Sequence, residues 1–110
     1  MASSVILGRI PVVGGLAYLE RVHRLPSGFT VELAPERDNR YLRHAIAVLV
    51  SGEKVGYVAP EIAPHYYEPL LAREGPSATC PGRRAGTSDH ESSGIEVLLD
   101  FSALDVTPVD

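Results

Sequence analysis

The sequence predicts a mainly β (α+β) fold: a small OB/SH3-like β-barrel of five or six strands with one or two short helices. Three observations carry that expectation. Phe29, Val31 and Leu33 alternate with Thr30 and Glu32, the period-two signature of a half-buried strand. The aliphatic run His44–Val50 meets Ser51-Gly52-Glu53 and returns as Lys54–Val58, which reads as a hairpin. Turn signals recur roughly every 8–12 residues, the spacing of small barrels and sandwiches.

Taken in order, Val5–Ile10 is apolar enough for a strand or a packed arm. Pro11 lacks a ladder donor and marks an edge or a bend. Val12-Val13-Gly14-Gly15 then runs into Leu16–Val22, and the glycine pair suggests a bulge or a close backbone approach. Leu25-Pro26-Ser27-Gly28 is a turn. Between the strand at Phe29–Leu33 and the one at His44–Val50 lies a polar loop, Pro35–Arg43. It holds Asp38-Asn39-Arg40-Tyr41. A turn uses Asp and Asn, but it has no need of a tyrosine between two arginines.

In Ala59–Gly75, Pro60 suits a helix start and Gly75 a stop. Pro64 and Pro69 each remove an internal bond, so one or two short helical turns are expected, with Ile62, Ala63, Tyr66, Leu70 and Leu71 facing the core. Pro76–Ser93 reads as loop, with a short strand near Ala78–Cys80. Gly94–Phe101 places Ile95, Val97, Leu99 and Phe101 on one face, a final strand. Leu104–Asp110 reads as a frayed tail.

With 110 residues, 45% hydrophobic and 22% charged, the chain suits one folded domain. Its net charge of −4 is uneven. Residues 1–75 carry eight Lys/Arg against eight Asp/Glu; residues 76–110 carry two arginines against six acids. Overall acidity argues against a non-specific electrostatic nucleic-acid binder, while leaving room for a local basic groove. The lone Cys80 suits a reducing compartment. The N-terminus lacks the features of a signal peptide, and no run approaches the ~18 apolar residues of a membrane span. A cytoplasmic protein with no membrane partner is the expectation.

Catalytic and metal templates fail. There is no C-x-x-C or H-x₃₋₅-H to make a zinc site of Cys80, His90, His44 or His65. "SGEKVG" is not a phosphate loop. Ser88-Asp89-His90-Glu91 contains triad letters, but a triad is a spatial arrangement, not a run. No catalytic residue, metal or cofactor is expected.

The ordered set Val12 (or Val13), Gly14-Gly15, Tyr18, Asn39, Tyr41, Ala45, Ile46, Val48, Val55, Gly56, Tyr57 and Pro60 resembles the HIRAN domain family from about residue 10 to 75. That resemblance implies residues 1–9 as an arm or first strand, 10–102 as the domain and 103–110 as a tail. It also implies an OB-like barrel that binds nucleic acid. The best-understood member holds the 3′ end of single-stranded DNA with stacking aromatic rings. By that likeness Tyr41 and Tyr18 are stacking platforms on one surface. Asn39 reaches a phosphate or sugar, Arg40 and Arg43 supply positive charge, and His44 completes the set. The implied partner is single-stranded DNA or DNA ends, in the service of a repair or processing machine.

The chain departs from the family at four places: Leu42 stands for Asp, His44 for Asn, Ala17 for Arg, and Ala59 for a basic residue. The missing carboxylate at Leu42 predicts weak discrimination of a free 3′-hydroxyl. The rival expectation is a protein-interaction or structural module, in which the two tyrosines pack or meet a partner protein, Leu42 lies exposed beside Tyr41, and Arg37, Arg40 and Arg43 pair with Glu36 and Asp38. Tyr57 is assigned to the barrel wall, and His44 to the end of a strand.

Overall fold

The structure, a computed structural model, describes residues 9–13, 18–73, 77–86, 95–104 and 106–109. Gly14, Gly15, Ala17, Gly75 and His90 lie outside the described residues. Six strands appear: β1 (Arg9–Val13), β2 (Gly28–Pro35), β3 (Ile46–Val50), β4 (Glu53–Val58), β5 (Ala78–Gly86) and β6 (Ile95–Asp100). Two helices accompany them, α1 (Leu19–His23) and α2 (Ala63–Ala72), and a 3-10 turn follows β6 at Phe101–Ala103.

The strands close in the order β1-β4-β3-β2-β5-β6, every neighbouring pair antiparallel, with β6 pairing back onto β1. The consecutive strands β2-β3-β4 with β1 beside β4 make a Greek key. The predicted barrel is therefore present, with the upper strand count. Ile10, Val31, Leu33, Ile46, Val48, Val55, Val58, Val97 and Leu99 fill its interior. From outside the strands, Tyr66 of α2 and Phe101 join them edge to face, ring centroids 4.7 Å apart.

The β3–β4 connection is the minimal one. Ser51 (φ 53°) and Gly52 (φ 84°) both sit at positive φ, the type I′ condition that matches strand twist. Four residues on, Gly56 (φ 152°) is a second backbone necessity. A Cβ there would stand 2.5 Å from Val12 Cγ1 and 2.7 Å from the Val13 carbonyl oxygen. β1 can approach β4 this closely only because the side chain is missing.

Four segments differ from expectation. Leu19–His23, beginning inside Leu16–Val22 and ending one residue past it, form α1, too short to show a helical period. α2 is one ten-residue helix rather than broken turns. Pro64 falls in its first turn, where the absent N–H has no intrahelical partner to lose. Pro69 does vacate the His65 carbonyl, but the Val109 N–H occupies it at 2.8 Å. His65 Nδ1 in turn bonds the Val109 carbonyl oxygen at 2.7 Å. The segment expected to fray is thus hydrogen-bonded to α2, with Val106 packed on the core. β5 runs nine residues, not three. Its Pro81-Gly82 looks like a turn, yet Gly82 faces Phe29 in register, and Phe29 Cε1 lies 2.7 Å from where a Cβ would be. The ring covers the glycine and keeps the ladder shielded.

Candidate nucleic-acid interface

Residues 36–45 connect β2 to β3, pinned at the base where the Glu36 N–H donates to the Ala45 carbonyl at 2.8 Å. Asn39 organises the turn above. Its side-chain oxygen accepts from the backbone N–H groups of Tyr41 and Leu42, both at 2.8 Å. This is the Asx geometry that a short amide side chain offers the backbone. The Asn39 Nδ2 donates to Glu36 Oε1 at 3.1 Å and, at 3.4 Å, points to the Tyr57 hydroxyl.

Below the loop those groups join a polar network. Tyr57 donates its hydroxyl to Glu36 Oε1 at 2.9 Å and accepts from Lys54 Nζ at 2.8 Å. Lys54 also pairs with Glu36 Oε2 at 2.6 Å. Partial burial alone would raise the Glu36 pKa, but hydrogen bonds from Lys54, Asn39 and Tyr57, with the Lys54 charge, hold it below the ordinary 4.5. The same bond to Glu36, more than any other influence, raises Lys54 above its usual value. Burial raises the Tyr57 hydroxyl. Lys54 is therefore a neutralised cation; its role is to brace the loop.

What the brace presents is different in kind. Tyr41 is 92% exposed. Arg37, Arg40 and Arg43 are all exposed, and none forms an ion pair with a described residue. The local pairing expected with Glu36 is absent because Lys54 holds that carboxylate. Leu42 is half-buried rather than exposed. A concavity of about 500 Å³ lies against the loop, lined by Pro35, Glu36, Arg37, Asp38 and Asn39.

His44 precedes β3 at φ 57°, the left-handed region. Asn and His are among the few non-glycine residues that visit it readily, so the change from the family's Asn keeps the backbone requirement. The His44 ring meets Tyr67 of α2 edge-on at 5.1 Å. Tyr18, just before α1, is half-buried, and the Arg21 guanidinium lies 5.9 Å from its ring centroid. Arg21 Nη1 donates to the Lys54 carbonyl at 2.7 Å. Asn39, Arg40, Tyr41, Arg43 and His44 therefore share one loop. Tyr18 is connected to it through Arg21, Lys54 and Glu36.

The sequence reading missed Lys54 and Arg21, gave Glu36 only to the loop arginines, and saw Tyr57 only as wall. Strict alternation would separate Lys54 from Tyr57, three positions apart. The positive φ of Gly56 breaks that alternation. Elsewhere chemistry is sparse. No group of three His, Cys, Asp or Glu able to hold a metal occurs among the described residues. Burial foremost pushes the Cys80 thiol up to about 12, so it is a core residue and a poor nucleophile. No helix among the described residues is long and apolar enough to cross a membrane.

Fold and loop together define a small antiparallel barrel that displays an exposed aromatic ring among exposed arginines. Residues 7–100 match the family model of the HIRAN domain, and the chain belongs to the HIRAN family. HIRAN domains are nucleic-acid-binding rather than catalytic modules, known to take single-stranded DNA 3′ ends. No curated protein and no solved structure matches the chain.

Proposed function

We propose that this chain binds single-stranded DNA, at or near a 3′ end, on the 36–45 loop, as a cytoplasmic recognition module for a repair or processing machine. The observation that carries the reading is Tyr41. A ring left 92% in water, on a backbone held by a dedicated side-chain network, is presented for contact and contributes nothing to the core. Base stacking on such a ring contributes ~1–3 kcal/mol and tolerates any base. Arg37, Arg40 and Arg43 meet phosphates, His44 sets the exit of the loop, and Tyr18 is the second platform. Asn39 acts by placing Tyr41, because its own oxygen is already used twice.

Leu42 offers no acceptor to a terminal hydroxyl, so discrimination of a free 3′ end is weak. Fluorescence anisotropy with a short thymidine oligomer, carrying either a 3′-hydroxyl or a 3′-phosphate, tests the reading. Wild type is expected to bind both, weakly and with strong salt dependence. Tyr41→Ala is expected to weaken both by about one to two orders of magnitude. Leu42→Asp is expected to favour the free hydroxyl. Absence of wild-type binding at low salt would overturn the proposal in favour of a protein partner.

A further inference from the structure

A second concave site lies away from the loop's own residues. Arg21, Arg24, Leu25, Pro26, Val50, Ser51 and Glu53 line a cleft of about 240 Å³ between the C-terminal end of α1 and the β3–β4 turn. Its two cations are in different states. Arg21 is fixed: Nη1 is bonded to the Lys54 carbonyl and the guanidinium stands beside the Tyr18 ring. One such bond leaves four of the five guanidinium donors for another acceptor. The Arg24 side chain is exposed and has no partner among the described residues. Its backbone N–H and that of Leu25 close α1 onto the carbonyls of Arg21 and Val22, so these helix-end carbonyls already have donors of their own. The Glu53 carboxylate shares the cleft and leaves it one net positive charge.

Two guanidiniums over a small floor of Leu25, Pro26 and Val50 suit an oxyanion attached to a sugar. We infer that this cleft holds a backbone phosphate of the bound single strand, gripped by Arg21 and Arg24. The strand then runs from a base stacked on Tyr18 past the adjoining Arg21. The inference rests on the nucleic-acid reading above, and extends the contact surface from the loop to α1 and the β3–β4 turn.

The test is the salt dependence of binding to a thymidine oligomer of about twelve nucleotides. Each phosphate contact adds about 0.7 to the slope of log affinity against log salt for single strands. Arg24→Gln is expected to lower the slope by about that amount and the affinity several-fold. Arg24→Lys, which keeps the charge, is expected to restore much of the slope. Glu53→Gln is expected to strengthen binding, the opposite sign. Thermal melting of the three variants checks that each is folded. If wild type binds and all three variants keep its slope and affinity, the cleft is not a phosphate site and the loop reading stands. If wild type does not bind at low salt, both fall together.

Discussion

Two connections join neighbouring strands in the same three-stranded meander, and they solve chain reversal in opposite ways. Ser51-Gly52 needs two residues and two positive φ angles. Residues 36–45 take ten, and enlist Glu36, Asn39, Lys54 and Tyr57 in side-chain bonds to stay in place. Lengthening a loop adds only a slowly growing closure cost, but fixing its side chains adds rotamer entropy that the hydrogen bonds must exceed. The short turn shows that the barrel itself does not need such a device. The long connection differs in displaying the exposed Tyr41 and its arginines.

The largest effect is expected at Gly56 of β4, the strand that both leaves the short turn and carries Lys54 and Tyr57. Gly56→Ala places a methyl against Val12 and the Val13 carbonyl at a φ that L-residues avoid. A loss of about 3 kcal/mol or more is expected in denaturant unfolding. A variant within about 0.5 kcal/mol of wild type, the range of an ordinary surface substitution, would show that β1 yields easily.

At the loop, Asn39→Ala strips the acceptor from two backbone N–H groups and one donor from Glu36. A cost of about 1–2 kcal/mol is expected, accompanied, on the proposed function, by weaker DNA binding. Unchanged binding would mean that Tyr41 is presented without the brace.

His44 separates a backbone demand from a side-chain one. His44→Asn is expected to melt within a few degrees of wild type, whereas His44→Val, β-branched at φ 57°, is expected to lose about 1–2 kcal/mol. Equal melting temperatures for the two would refute the left-handed requirement.

The smallest effect is that of pH on the brace. The Glu36 pKa is lower in the folded chain than the ordinary 4.5, so its contribution is present above that value and fades as pH falls through the lowered one. Lys54 shifts the other way: its contribution is complete below 10.5 and fades only as pH rises through its raised value. Both groups keep contact with solvent, so the acid-side loss is expected to stay below about 1 kcal/mol. Melting followed between neutral and acid pH is expected to show a shallower decline in Glu36→Gln than in wild type.

Much of the barrel was legible because a half-buried strand writes its geometry into local order: Phe29, Val31 and Leu33 alternate, and Ser51-Gly52 marks a hairpin. The residues of the 36–45 loop stood out for the same reason, since an aromatic ring among Asn and Arg has no local task. What their neighbours determine was not legible. Pro81-Gly82 reads as a break, and became strand only because Phe29 from β2 covers the glycine. Pro69 reads as a helix stop, and was accommodated because Val109, forty residues away in sequence, supplies the donor it removes. The brace of Glu36, Lys54 and Tyr57 joins the 36–45 loop to β4 across a position where Gly56 resets the alternation. By itself the sequence determined which segments extend, where the chain reverses and that Tyr41 is out of place in a turn. Only the tertiary structure decided which lost hydrogen bonds are refilled and which charges are neutralised, because both depend on groups brought within about 3 Å by folding.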